Sequence, residues 1–181
     1  MEIAFIQRFV LFLGNPTYAL TVVVFLMLLS SGLGSLLSRR WFHRPASVAW
    51  AIGFIVIALL VCVVALPRLL GTLVGLPFAV KLLISAALLV PLGLAMGMPF
   101  PSGLRALSSG VDSGIMPQVK NGAVEWAWAM NAASSVLGSV LAMVIAIQFG
   151  LNMTLACGAA AYLLAMLLLT TFGKALATQT R

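Results

Sequence analysis

Residues 18–37, YALTVVVFLMLLSSGLGSLL, carry no charge over their whole length and are followed, after Ser38, by Arg39-Arg40-Trp41-Phe42-His43-Arg44. At ~1.5 Å of rise per residue, a run of this size matches the ~30 Å hydrocarbon layer of a bilayer. A dense group of cations directly after such a run is the mark of a cytoplasmic end under the positive-inside rule. Working outward, the same kind of run recurs at Ala46 to Leu66, Leu82 to Phe100, Trp126 to Phe149 and Leu151 to Phe172, with a shorter one at Glu2 to Leu13. The chain has 181 residues, 63% hydrophobic and 7% charged. That is too little polar surface to cover a soluble domain of this size. Backbone in lipid must satisfy its own hydrogen bonds, which leaves helices or a closed barrel, and the runs lack the two-residue alternation of barrel strands. The expected fold is therefore all-α, a polytopic transmembrane helix bundle with five full spans plus one truncated amino-terminal helix, residues 1–181 forming a single transmembrane domain.

The opening stretch reaches only about 18 Å and reads as a helix missing its beginning. Gly14-Asn15-Pro16 should turn it into the first long span, and Gly150 should form a tight hairpin that makes the last two spans antiparallel neighbours. With Arg39, Arg40 and Arg44 inside, alternation also places Arg105, Lys120, Lys174 and Arg181 in the cytoplasm and leaves Arg8, Arg68 and Lys81 outside. The carboxy terminus is then cytoplasmic, in a multi-pass protein of a bacterial inner membrane. Trp41, Trp50 and Trp126 near span ends agree with interfacial anchoring. Pro101 to Glu125 reads as the one long flexible loop. Glu2 directly after Met1 denies the amino terminus the basic flank of a secretory signal.

The net charge of +7 comes from ten Lys and Arg against three acids. These cations lie between apolar runs and do not interleave with exposed aromatics, so lipid head groups, not nucleic acid, are the expected partner. Cys62 and Cys157 sit inside apolar runs without a second Cys or a His at ligand spacing, which predicts neither a disulfide nor a metal site. His43 reads as a solvated loop residue.

Spans associate through close backbone approach at small residues and through polar side chains. Ser31 and Ser35 lie one turn apart in the first long span, as do Gly34 and Ser38, while Gly93 and Gly97 repeat the spacing in the third, beside a kink expected at Pro91. Asn131, Ser135 and Gly138 share one face of the fourth. These three faces are expected to form the bundle interior, either as packing alone or as the lining of a substrate path.

Two polar groups call for separate readings. Glu2, Gln7 and Arg8 form either an internal polar cluster or a frayed terminus with Arg8 snorkelling outward. Glu125, beside Trp126 and Trp128, is either a site for an organic cation or an acid in a helix's first turn, favoured there by the helix dipole. With three acids and one His in the chain, no phosphate cradle, carboxylate cluster or nucleophile with its base can be assembled, so neither catalysis nor a cofactor is expected from this chain alone.

Several strings resemble the carboxy-terminal membrane region of multispan bacterial spermidine-synthase-like proteins. They are Glu2 to Phe9 with Leu13 to Tyr18; Ser31-Gly32-Leu33-Gly34-Ser35; Gly97 to Arg105; and Trp126-Ala127-Trp128 with Asn131 and Ser135 to Ser139. They follow that family's order over most of the chain, although Glu125 stands where the family pattern has Pro, and Ala132 where it has Gly. The family is similar in its helical half to major-facilitator transporters, and longer members join it to a soluble aminopropyltransferase-like domain. The resemblance implies a non-catalytic membrane module that docks or serves such a domain, through residues 101–125 and the basic turn. The alternative is a transporter-like half that forms a homo-oligomer to move a small, cationic solute past Glu2, Gln7, Asn131 and Glu125.

Overall fold

The computed structural model describes residues 2–41, 45–112 and 122–179. They form seven helices: α1 (Glu2–Leu13), α2 (Pro16–Trp41), α3 (Pro45–Thr72), α4 (Phe78–Met96), α5 (Pro99–Asp112), α6 (Ala123–Phe149) and α7 (Leu151–Gln179). Five helical segments are long and apolar enough to cross a membrane: 16–38, 49–72, 78–105, 123–149 and 151–171. This is a polytopic all-helical bundle of five spans and one shorter amino-terminal helix. Its surface fits a lipid solvent, since Leu11, Trp50, Leu83, Ile147 and Phe149 are each at least 70% exposed, an apolar display that water would not tolerate on this scale.

Local chemistry fixes the helix ends. At Gly14 the chain takes φ +78°, open to glycine at no steric cost. The Asn15 side-chain oxygen then accepts from Thr17 N–H at 2.8 Å, capping α2. At Gly150 φ is +85°, and only this residue separates α6 from α7. The turns after α1, α3 and α6 share one end of the bundle, called here the turn end. The starts of α3 and α6 and the finish of α2 share the other.

α1 is not peripheral. Ala4, Phe5, Phe9, Phe12 and Leu13 are buried along one side of it, with Phe9 and Phe12 edge-to-face at 6.0 Å. The helix touches α2, α3, α4, α6 and α7. The core adds Ala19, Val23 and Met27 from α2, Ile55, Leu59, Leu66 and Leu70 from α3, Leu89, Leu92 and Ala95 from α4, and Leu155 and Ala159 from α7. α6 supplies none of it.

Two expectations are corrected. The segment read as a flexible loop from Pro101 is helical as far as Asp112. Pro99 opens α5 at a position where no N–H is needed, and Phe100, Leu104, Leu107 and Val111 recur at helical spacing. Only residues 113–121 of the expected loop, with Lys120, lie outside the described chain, as do Phe42, His43 and Arg44 of the basic turn. The second long span, expected to stop at Leu66, continues as α3 through Pro67 to Thr72; loss of one N–H is tolerated where Leu66 and Leu70 remain buried on either side.

Candidate functional site

Three places concentrate polar or small residues. The first is the seam between α2 and α4. These helices run parallel, with Tyr18 against Phe78 at one end (ring centroids 5.4 Å apart) and Ser38 near Arg105 at the other. A Cβ at Gly34 would collide with the Leu94 carbonyl, one at Gly93 with the Ser30 hydroxyl, and one at Gly97 with the Ser31 carbonyl. The backbones therefore touch only because these positions lack side chains. Ser30 donates to Leu26 O at 2.5 Å within its own helix, so the seam buries its hydroxyl without leaving it unpaired.

A polar clasp ends the seam. Arg105 Nη2 donates to Ser38 Oγ at 2.9 Å and to Ser102 Oγ at 3.0 Å. Ser38 Oγ in turn donates to Ser35 O at 2.6 Å, and Ser102 Oγ to Met98 O at 2.8 Å. Each hydroxyl donates once and accepts once, which suits its capacity. The guanidinium thereby ties α5 to α2. Ser38 is expected from its spacing to Gly34 as part of a packing face; its bond to Arg105, 67 positions away, has no signal in the sequence.

The second place is α6, and here the interior expectation fails. Asn131, Ser135 and Gly138 are all exposed, and a Cβ on Gly138 would meet nothing within 4 Å. α6 contains no buried residue. Among the described residues α6 rests mainly on α7, with fewer contacts to α1 and α5. At its start, Glu125, Trp126 and Trp128 are exposed. Trp128 packs on Phe100 of α5, ring centroids 5.1 Å apart.

The third place is the outer half of α1. Glu2 and Gln7 are exposed and Arg8 is half-buried, so the three do not assemble an internal cluster. Arg8 Nη2 donates instead to Asn152 Oδ1, in the first turn of α7. Arg8 Nε is buried and has no hydrogen-bond partner among the described residues. A cavity of about 110 Å³ adjoins it, walled by Leu11 and Phe12 of α1 and by Pro67, Leu70 and Gly71 of α3. Asn152 could not be found from sequence as the partner of Arg8, since 144 positions separate them.

Among the described residues no three of His, Cys, Asp and Glu group as metal ligands. Cys62 is half-buried and Cys157 exposed. Fold and site together define a class, the multi-span helical membrane proteins. Comparisons with protein-family models, curated proteins and solved structures yield no match to this chain.

Proposed function

We propose that the chain is a non-catalytic integral membrane module, related to the membrane region of spermidine-synthase-like proteins, that serves a soluble aminopropyltransferase-like domain. It lies in a bacterial inner membrane with its carboxy terminus in the cytoplasm. The observation that carries the reading is α5. This helix touches α2, α3 and α6 at one end of the bundle, is tied down by the Arg105 clasp and packs through Phe100 on Trp128, near the start of α6, where Glu125 and Trp126 are exposed. A rigid helical shelf at a bundle end suits docking better than a mobile loop, because less ordering entropy is lost on binding.

The test uses proteoliposomes carrying the whole chain and a purified soluble aminopropyltransferase domain. Flotation of the domain with these vesicles above the level of empty ones is expected. Flotation equal to that with empty vesicles, or aminopropyl transfer by the purified chain alone, overturns the proposal.

A second reading is favoured by a separate observation. Glu2, Gln7, Asn131 and Glu125 are all exposed on the single chain, so a path they line runs between copies. This is a transporter-like half that dimerises to move a small cationic solute. Uptake into liposomes that survives replacement of all four residues removes it.

A further inference from the structure

The cations at the turn end have no acid to answer them. The chain's only acids are Glu2, Asp112 and Glu125. Asp112 closes α5 and Glu125 lies in the first turn of α6, both at the opposite end. Glu2 begins α1, six residues and so roughly 9 Å along the helix before Arg8 and about 120° round it, while the Arg8 guanidinium reaches away from it to Asn152. Arg8, whose guanidinium reaches the first turn of α7, Arg68 near the end of α3 and Lys81 near the start of α4 therefore share the turn end with no carboxylate of the described residues beside them. Under the positive-inside rule, three cations gathered on the less basic side need a reason of their own.

The cavity between α1 and α3 supplies one. Arg8 forms its polar wall, its Nη2 held by a neutral amide and its Nε buried without a partner among the described residues. Lys81 Nζ stands 5.6 Å from the centroid of the Phe12 ring, which forms another wall. Arg68 is exposed and follows directly on Pro67, also in the wall. The remaining walls are apolar, and Leu11 at the rim is 80% exposed. A guanidinium offers five donors in a fork that fits phosphate oxygens. Apolar walls opening beside an exposed leucine fit methylene groups better than they fit a free, fully hydrated ion.

We propose that this cavity binds the head group of an anionic phospholipid, its phosphate held by Arg8 within the field of Arg68 and Lys81, and its glycerol and upper acyl carbons lying against Leu11 and Leu70. The lipid ties α1 to α3 at the turn end. This inference is independent of the module and transporter readings.

Native mass spectrometry of the full chain, released from micelles with defined lipids, tests it. Phosphatidylglycerol should be retained over phosphatidylcholine, and Arg8→Gln should weaken that retention about tenfold, the scale of a lost hydrogen bond to a charged group. Two further variants guard against a folding defect in Arg8→Gln. Gly71→Leu adds bulk at a lining position where the first carbon meets nothing within 4 Å, and should weaken retention with Arg8 intact. Exposed Arg68→Gln should weaken it severalfold. Equal retention of the two lipids, or retention unchanged in both Arg8→Gln and Gly71→Leu, overturns the proposal. Displacement of phosphatidylglycerol by millimolar inorganic phosphate also overturns it, assigning the site to a free anion.

Discussion

The α2–α4 seam and α6 are built from the same residue types and meet opposite fates. Along the seam, Gly34, Gly93 and Gly97 let two backbones touch, and serines close their own hydrogen bonds within the helix. Along α6, Asn131, Ser135 and Gly138 form an equally small face that stays exposed, and a Cβ on Gly138 meets nothing within 4 Å among the described residues. In lipid no hydrophobic force drives helices together, so small residues permit association only where a matching surface arrives. The seam has such a surface in the same polypeptide. On α6 the face remains open to lipid or to a neighbour.

The contrast is broken most easily by bulk. Gly97→Leu forces a side chain into the Ser31 backbone and should cost about 3 kcal/mol in SDS-titrated unfolding of the purified chain. Gly138→Leu should shift the same midpoint by less than about 0.5 kcal/mol. Equal losses at the two sites would mean that α6 is packed after all.

Removing the clasp should come next. Arg105→Ala deletes the hydrogen bonds to Ser38 and Ser102 and should cost about 1.5 kcal/mol in the same assay. A double-mutant cycle with Ser38→Ala should recover a coupling of roughly 0.6 kcal/mol or more. Trp128→Ala removes the ring contact with Phe100 that helps hold α6 to α5 and should cost about 1 kcal/mol. The smallest effect belongs to Ser30→Ala, below about 0.5 kcal/mol, because that hydroxyl bonds only its own helix. A large loss there would show that the seam depends on hydroxyl bonding between helices.

The limits of the sequence follow from the same physics. α1 was legible from end to end because Gly14-Asn15-Pro16 stops it by local chemistry. The α2 and α4 seam faces were legible because only small residues permit backbone contact. α5 was missed because Ser102, Gly103, Ser108, Ser109 and Gly110 masked an apolar repeat that a helical count from Phe100 recovers. The exposure of α6 was not legible at all. A span that is apolar all round satisfies lipid on every side, and which side finds a neighbour depends on tertiary arrangement. The pairing of Arg8 with Asn152 is likewise a product of the fold, written in no local pattern.

The account rests on a closed seam beside an open helix, and oxidative cross-linking in native membranes tests both. In a chain with Cys62 and Cys157 replaced, cysteines at Ser30 and Gly93 should form an intrachain disulfide in high yield. A Cβ built on Gly93 lies 3.1 Å from the Ser30 Cβ, close enough to reach the usual Cβ separation of about 3.8 Å with a small shift. Cysteines at Ser30 and Ser135 should give none. A bond between 30 and 135, or its absence between 30 and 93, would contradict the arrangement of the bundle.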